Sequence, residues 1–196
     1  MKKIPTIFVR DLMTHLVVNE VMPGCEWVFK GEGVPTRKYD GSPVLIRNGQ
    51  NFKRYELRVH EGRTAPAGFE PCDPVDVVTG KQVGWVPITD RPDDKWFREA
   101  CSRLEGHPDM RDGTYEACGP HFQHNPEKFN FDVLVRHGIA VLESTGNPQG
   151  PTLKRPTFEL LRYYLAHHDV EGIVWHHSDG RMAKIKARDF GIRRGH

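Results

Sequence analysis

Apolar and polar residues alternate in short runs along much of the chain, which is typical of half-buried β-strands. Glycine, proline and asparagine interrupt these runs, and Asn48-Gly49 is a strong hairpin signal between two of them. Residues 63–84 carry several Gly and Pro clusters, and we interpret them as a long irregular segment. The pattern predicts strands at residues 6–9, 16–21, 27–29, 44–47, 52–59, 113–118, 131–135, 139–143, 170–175 and 182–187.

Two segments follow a helical period instead. In residues 92–105 and 156–168, apolar residues recur at three- and four-residue intervals, which predicts one amphipathic helix in each. Pro92 suits the first turn of the former. Many short strands with a few helices predict an α+β fold of mostly antiparallel strands. No stretch of distinct composition divides the chain, so we expect a single domain over residues 1–196.

Composition narrows the class of protein. Hydrophobic residues make up 37% and charged residues 28% of the chain, and no apolar run approaches the roughly 18 residues that a membrane span needs. The basic start of the chain is not followed by an apolar segment, so we expect no signal peptide and a cytoplasmic location. The four cysteines stand singly without a C-x-x-C pair, which favours neither a zinc site nor a disulfide.

The net charge is only +2, but basic residues concentrate in segments 30–58 and 181–194. If these segments meet in space, they form a cationic surface suited to phosphate groups. The alternative is two ordinary solvated faces.

The residues with the clearest chemistry are Lys38-Tyr39-Asp40-Gly41, which stand between a Gly/Pro-rich turn and an apolar strand. A lysine amine that has lost its proton can attack the α-phosphorus of a nucleotide. Asp40 and Gly41 are turn-forming residues that would fix the strand carrying the lysine. Four further motifs follow in the order Thr114-Tyr115-Glu116, Phe131-Asp132-Val133, Glu171-Gly172-Ile173-Val174 and Lys184-Ile185-Lys186.

The last two motifs flank a second hairpin signal, Asp179-Gly180. If these residues form a two-residue loop, Trp175 faces Lys184 and Ile173 faces Lys186. Because side chains alternate along a strand, Glu171 would then share one face with both lysines. The other face would carry apolar residues and pack on the core, namely Val170, Val174, Ile185 and Ala187. A loop one residue longer would break this parity.

In order, spacing and identity, these motifs resemble those of the covalent nucleotidyltransferase superfamily, which contains DNA ligases, RNA ligases and mRNA capping enzymes. The resemblance covers roughly residues 30–190. Finer details are similar to the small stand-alone ATP-dependent 5′-to-3′ RNA ligases, namely Gly84-Trp85-Val86-Pro87, Gly119-Pro120 and Arg136-His137-Gly138. The implied fold is a nucleotidyltransferase (adenylation) domain of antiparallel sheets flanked by helices. Only ten residues follow Lys186, so we expect no C-terminal OB domain.

The resemblance also implies roles for residues. Lys38 would be the nucleophile that carries AMP, Glu171 would hold a metal ion, and the pair Lys184 and Lys186 would neutralise the α-phosphate. Glu116 would bind the ribose. The implied cofactors are ATP and Mg²⁺ or Mn²⁺.

The remaining implied contacts are with the nucleotide. Asp40 and Gly41 belong to the nucleotide-binding turn, and Phe131 would stack on adenine. Arg54 is our candidate for the basic residue that contacts phosphate, with Lys53 and Arg58 as alternatives.

The implied function is an ATP-dependent polynucleotide ligase, with RNA as the expected substrate. AMP would pass from Lys38 to a 5′-phosphate, and a 3′-hydroxyl would then displace it. The alternatives are a DNA ligase, a GTP-dependent capping-type enzyme and a non-catalytic RNA-binding relative. We expect no membrane association, and no apolar helix requires a partner subunit. The basic residues 188–194 are our candidate for gripping the nucleic acid.

Overall fold

The computed structural model describes residues 3–107, 110–142 and 152–194. In chain order the elements are β1 (Phe8–Arg10), β2 (Val17–Val21), α1 (Glu26–Phe29), β3 (Gly33–Lys38), β4 (Ser42–Arg47), β5 (Gln50–Arg58), β6 (Glu70–Pro71), β7 (Lys81–Pro87), α2 (Lys95–Ser102), β8 (Gly113–Cys118), β9 (Val133–Arg136), α3 (Phe158–His167), β10 (Gly172–His177) and β11 (Met182–Lys186). Short 3-10 turns occupy Val59–Glu61, Pro92–Asp94 and Ala187–Phe190.

The chain divides into two compact units, which we describe separately. The three-stranded unit contains residues 4–39 and 138–196, and the six-stranded unit contains residues 1–3 and 40–137. The prediction of a single domain stays a prediction.

The three-stranded unit is named for its antiparallel sheet, in the order β11-β10-β3. One face of that sheet packs on a core with the β1-β2 hairpin, α1 and α3. Ile173, Trp175 and Ile185 are completely buried in this core. The outer edge of β11 is partly covered by the N-terminal segment, because Ile7 donates its amide to the Lys184 carbonyl (2.9 Å).

The six-stranded unit contains an antiparallel sheet in the order β6-β7-β5-β4-β8-β9. Its core lies between one sheet face and α2, where Val44, Ile46 and Tyr115 meet Ala100 and Cys101. The mixed composition, with antiparallel sheets and few helices, agrees with the predicted α+β class.

Several local predictions are confirmed. Arg47 pairs with Gln50, and Asn48 and Gly49 both have positive φ, which is the two-residue hairpin that the sequence indicated. The predicted second helix forms as α3, and the Thr157 side chain caps it by accepting the Leu160 amide (3.2 Å). The first becomes a 3-10 turn, Pro92–Asp94, followed by α2.

The strand predicted at residues 27–29 is wrong, because these residues belong to helix α1. Trp27 and Val28 are both buried although they are neighbours in sequence. A strand at the surface of a core would turn successive side chains to opposite faces, whereas a helix allows two neighbours to enter the same core.

Three strands were missed, namely β3, β6 and β7. β3 includes Pro35, which has no amide to donate, but β3 is an edge strand where proline is tolerated. β6 lies wholly and β7 partly in the segment that we interpreted as irregular, and Gly84 obscured β7. A Cβ at Gly84 would lie 2.4 Å from the Glu70 carbonyl oxygen, so glycine is needed where β6 approaches.

The strand predicted at residues 139–143 does not form in the part the structure describes, where Val141 makes an isolated bridge to Thr36. Glu143 lies outside the described residues. Within the described ranges, no helix has the length and apolar character to cross a bilayer.

Candidate active site

Two of the predicted site lysines stand in one row across the three-stranded sheet. Lys38, at the end of β3, pairs with Gly172 at the start of β10, and Gly172 pairs with Lys186 of β11. Directly opposed residues in antiparallel strands project to the same face. Lys184 lies two residues before Lys186 and projects from that face as well. Because the middle position is glycine, no side chain separates Lys38 from Lys186.

Glu171 is the residue before β10, and its side chain contacts both lysines of this row. Its Oε2 accepts from the Lys38 Nζ at 2.5 Å, and its Oε1 accepts from the Lys186 Nζ. The side chains of Lys38, Glu171 and Lys186 are 20%, 11% and 13% exposed. One largely buried carboxylate therefore bridges two amines that lie about 150 residues apart in sequence. We call Lys38, Glu171, Lys184 and Lys186 the lysine cluster.

The predicted register of the β10–β11 hairpin is wrong by one residue. The loop has three residues, 178–180, because His177 donates its amide to the Arg181 carbonyl (2.9 Å). Gly180 closes the turn with φ +90° and donates to the His177 carbonyl (3.0 Å). A three-residue hairpin loop commonly ends in such a left-handed glycine, so Asp-Gly does not by itself distinguish the two loop lengths.

The shifted register changes which residues oppose the lysines. Lys184 faces Val174 and Lys186 faces Gly172, rather than Trp175 and Ile173. Val174, which we predicted on the core face, lies on the lysine face. Alternation along β10 alone would turn Glu171 away from the lysines. Glu171 precedes the strand, however, and its side chain contacts Lys38 and Lys186.

Burial and charge shift the titration of this cluster. Burial, followed by the charges of Lys186 and Lys38, lowers the pKa of Lys184 from 10.5 to about 8. Burial and then Lys38 also lower the pKa of Lys186. Burial acts to raise the pKa of Glu171, but attraction to Lys38 and Lys186 outweighs it and keeps the pKa below its ordinary value. The carboxylate is thus ionised among amines whose positive charges it does not fully compensate.

The second half of the K-x-D-G motif belongs to the six-stranded unit. The Asp40 amide donates to Glu127 (3.0 Å), and the Gly41 amide donates to Glu116 (3.1 Å). The second oxygen of Glu116 contacts Nε2 of His137 at 2.8 Å. Glu116 is 5% exposed, and both of its oxygens already have partners. A Cβ at Gly41 would lie 2.1 Å from the Ala117 carbonyl oxygen, so the motif needs glycine here.

The other predicted contacts also lie in the six-stranded unit. Lys53, Val44 and Tyr115 fall in one row of β5, β4 and β8. Because side chains alternate along a strand, their neighbours Arg54 and Glu116 both project from the other sheet face. Lys53, the alternative to Arg54, projects from the opposite face and pairs with the buried Asp94. Phe131 is 51% exposed, and the Arg103 guanidinium lies 4.8 Å from its ring centroid.

Sequence reasoning missed two residues that contact predicted site residues. His137 contacts Glu116, and Asp189 contacts Lys186. His137 was noted only within a resembling segment, and Asp189 was not singled out. Asp189 accepts the Lys186 amide at 2.9 Å, and its other oxygen accepts from Arg10 at 2.6 Å. The Glu116–His137 contact joins distant segments and has no local signal. Asp189 lies three residues after Lys186, which is the spacing of a capping box at the start of the 3-10 turn, so this contact had a local signal.

The side chains available as ligands determine which kind of metal ion this site could hold. Among the described residues no three His, Cys, Asp or Glu side chains gather into a metal site. Glu171 alone fits an ion such as Mg²⁺ that is held by one carboxylate together with substrate phosphates and water. Glu171 would exchange an amine contact for the ion.

Of the basic tail residues, Arg194 bonds to Asp169 through Nε at 2.7 Å, with its side chain 13% exposed. Arg188 and Arg193 are exposed.

Comparison with known proteins adds no assignment: no protein-family model matches the sequence, and no curated protein does.

Proposed function

We propose that this protein is an ATP-dependent polynucleotide ligase, with RNA as substrate, that forms a covalent lysyl-AMP at Lys38. The observation that carries the proposal is the Glu171 carboxylate bridging the Lys38 and Lys186 amines, with Lys184 on the same sheet face. These are the residues that the superfamily motifs single out. The resemblance supplies the reaction, and the geometry supports it.

The lysine cluster is chemically suited to a phosphate group. Two amines contact the single carboxylate, a third projects from the same sheet face, and all three are partly removed from water. An anion that enters therefore gains charge-assisted hydrogen bonds. Lys184 and Lys186 would stabilise the charge that develops on the α-phosphate during transfer.

The first step places a nucleophile on Lys38. Glu171 contacts the Lys38 amine and can orient it as it loses a proton to solvent. The free amine attacks the α-phosphorus of ATP, a P–N bond forms, the P–O bond to the β-phosphate breaks, and pyrophosphate leaves with the electron pair. A bound Mg²⁺ or Mn²⁺ would neutralise triphosphate charge, with Glu171 as its protein ligand.

The second and third steps join the ends. A 5′-phosphate oxygen displaces Lys38 from AMP, and a 3′-hydroxyl then displaces AMP to form the phosphodiester. We propose ribose contact for Glu116 and adenine stacking for Phe131 from the resemblance. We propose that Asp40, Gly41 and Arg54 contribute to nucleotide binding in the same way.

The test is to incubate the purified protein with α-labelled ATP and a divalent cation and to look for covalent label. Wild type should gain an AMP-sized mass increment on the peptide containing Lys38. Lys38→Ala should gain none, whereas Lys30→Ala, which removes an exposed lysine of the same unit, should label like wild type. Absence of label on wild type would overturn the proposal.

The same assay distinguishes the alternatives. Preferential labelling by GTP would indicate a capping-type enzyme. Sealing of nicked DNA but not RNA would indicate a DNA ligase. RNA binding that is indifferent to ATP, without label, would indicate a non-catalytic relative.

A further inference from the structure

The outward edge of β11 needs acceptors for two amides. Successive amides of a strand point to alternate edges, and the Ala187 amide donates toward β10, to the Glu171 carbonyl at 2.9 Å. The Lys184 and Lys186 amides therefore point away from β10. Buried amides without acceptors are costly, so the rest of the unit has to provide them.

The two amides are satisfied by different groups. Lys184 donates to the Pro5 carbonyl at 2.9 Å, so the N-terminal segment acts there as a short added strand. The Lys186 amide instead donates to the Asp189 carboxylate at 2.9 Å. Asp189 is 1% exposed and belongs to the 3-10 turn that follows β11.

Arg10 completes the arrangement from β1. Its guanidinium donates to the second Asp189 oxygen at 2.6 Å and is itself 42% exposed. A buried carboxylate is costly unless it is paired and hydrogen-bonded, and here both conditions are met. Residues 5–10 therefore hold β11 at two points. Pro5 contacts Lys184 directly, and Arg10 acts on Lys186 through Asp189.

We propose that the Arg10–Asp189 pair is a positioning device for AMP transfer, which fixes the backbone of Lys186 so that its amine stays in the lysine cluster. Asp189 does not touch the reacting atoms and acts through Lys186. The negative charge of Asp189 also favours the protonated form of Lys184, since it acts to raise the pKa of that amine against burial. This inference rests on the proposed function for its activity readout.

The contribution of a positioning residue lies in the rate more than in substrate affinity, because a small displacement of a catalytic group costs up to about 100-fold in rate. Asp189→Asn keeps the size and an oxygen for the Lys186 amide but loses the charge that pairs with Arg10. We expect the single-turnover rate of self-labelling to fall about 10- to 100-fold at saturating ATP, with a change of about threefold or less in the ATP concentration for half-maximal rate.

Rescue by charge separates positioning from simple loss of fold. Arg10→Ala should lower the rate about tenfold, and Arg10→Lys, which keeps a cation, should stay within about threefold of wild type. The matched control is Val28→Ala, which truncates a completely buried residue of α1 in the same unit, outside residues 5–10 and the 3-10 turn. It should lower the melting temperature while preserving the labelling rate.

A second readout needs no catalysis. In Asp189→Ala the Lys186 amide loses its acceptor, and its hydrogen exchange should accelerate at least about tenfold relative to that of Ile185, whose amide points to the opposite edge. If wild type does not label with ATP, the proposed function fails while the exchange measurement still tests the positioning. Wild-type labelling rates in Asp189→Asn, or unchanged exchange at Lys186, would overturn the inference.

Discussion

The two units surround their buried acids with partners of different charge, although in both units each carboxylate oxygen has a partner. In the six-stranded unit Glu116 has a partner for each oxygen, the Gly41 amide and the His137 ring. In the three-stranded unit Glu171 meets two amines and leaves the positive charge of the lysine cluster in excess. Charge that the protein itself does not compensate is where an anionic ligand gains most, so we place the proposed phosphate chemistry at the lysine cluster.

The cost of this arrangement is visible in Lys184. A lysine whose pKa is lowered to about 8 is less stable when protonated in the folded protein than in water. A loss of folding stability in exchange for ligand binding is common at functional sites, and the proposed anion binding at the lysine cluster would be such a case.

Replacing the proposed nucleophile by arginine separates charge from chemistry. Lys38→Arg keeps a cation that can pair with Glu171, but a guanidinium does not lose its proton at working pH. We expect covalent labelling by ATP to fall by at least about 1,000-fold while the unfolding free energy changes by about 1 kcal/mol or less. Lys30→Arg is the control, and substantial labelling of Lys38→Arg would contradict the assigned nucleophile.

The two motif glycines test whether each unit tolerates a side chain at its site. A Cβ at Gly172 would lie 2.1 Å from the Ile185 carbonyl oxygen, and one at Gly41 would lie 2.1 Å from that of Ala117. Because both clashes involve backbone, each alanine variant should lose about 2–4 kcal/mol of unfolding free energy. Thermal unfolding measures the loss, and Gly49→Ala, which has open space but positive φ, should cost about 1 kcal/mol.

The two glycine variants should disturb different units. Amide spectra of Gly172→Ala should change mainly in the three-stranded unit, and those of Gly41→Ala mainly in the six-stranded unit. Equal disturbance of both units by either variant would show that the two fold cooperatively.

The titration of Lys184 predicts a pH-dependent gain in stability. Lys184→Met removes an amine that faces Val174 and keeps a flexible apolar side chain. The wild-type lysine binds its proton with a pKa near 10.5 when unfolded and about 8 when folded, so the unfolded state binds more protons between these values. The contribution of Lys184 to the unfolding free energy therefore rises with pH across that window, and the penalty from this group is largest below pH 8.

Below pH 8 the Lys184→Met protein should be more stable than wild type by about 1–2 kcal/mol, after allowance for partial exposure of the amine. The difference should shrink as the pH rises toward 10.5. Urea unfolding from pH 6 to 10 measures it, with the exposed Lys154→Met as control. A difference that does not change with pH would exclude titration of Lys184 as its cause.

Sequence patterns predicted the strongly periodic elements and failed where tertiary contacts decide. The Asn48-Gly49 hairpin and α3 follow from local chemistry, because both turn conformation and helix capping depend on neighbouring residues. β3 and β7 were missed because Pro35 and Gly84 are acceptable only through their neighbours in the sheet.

The lysine cluster shows the same division at the site. The motifs identified residues that come together, but the predicted register that was to bring them together is wrong by one residue. Glu171 meets Lys38 and Lys186 because it precedes β10, where strand alternation no longer fixes its direction. The contact of Asp189 with Lys186 is a local capping contact, whereas the pairing of Asp189 with Arg10 joins residues far apart in sequence and has no local signal.

Phe131 gives the smallest expected effect and tests the six-stranded unit. Its ring is 51% exposed and is contacted by Arg103, so Phe131→Leu removes little buried surface and should change the unfolding free energy by about 0.5 kcal/mol or less. If the ring stacks on adenine as proposed, the ATP concentration for half-maximal labelling should rise about fivefold, which corresponds to about 1 kcal/mol. The maximal labelling rate should change less, because stacking acts on the bound nucleotide rather than on the α-phosphate. Tyr163→Leu removes another exposed aromatic, one that stacks on His167 in the three-stranded unit, and should leave ATP dependence unchanged. If the two substitutions change the ATP concentration for half-maximal labelling equally, Phe131 does not belong to the proposed nucleotide site. The proposal would then rest on the lysine cluster.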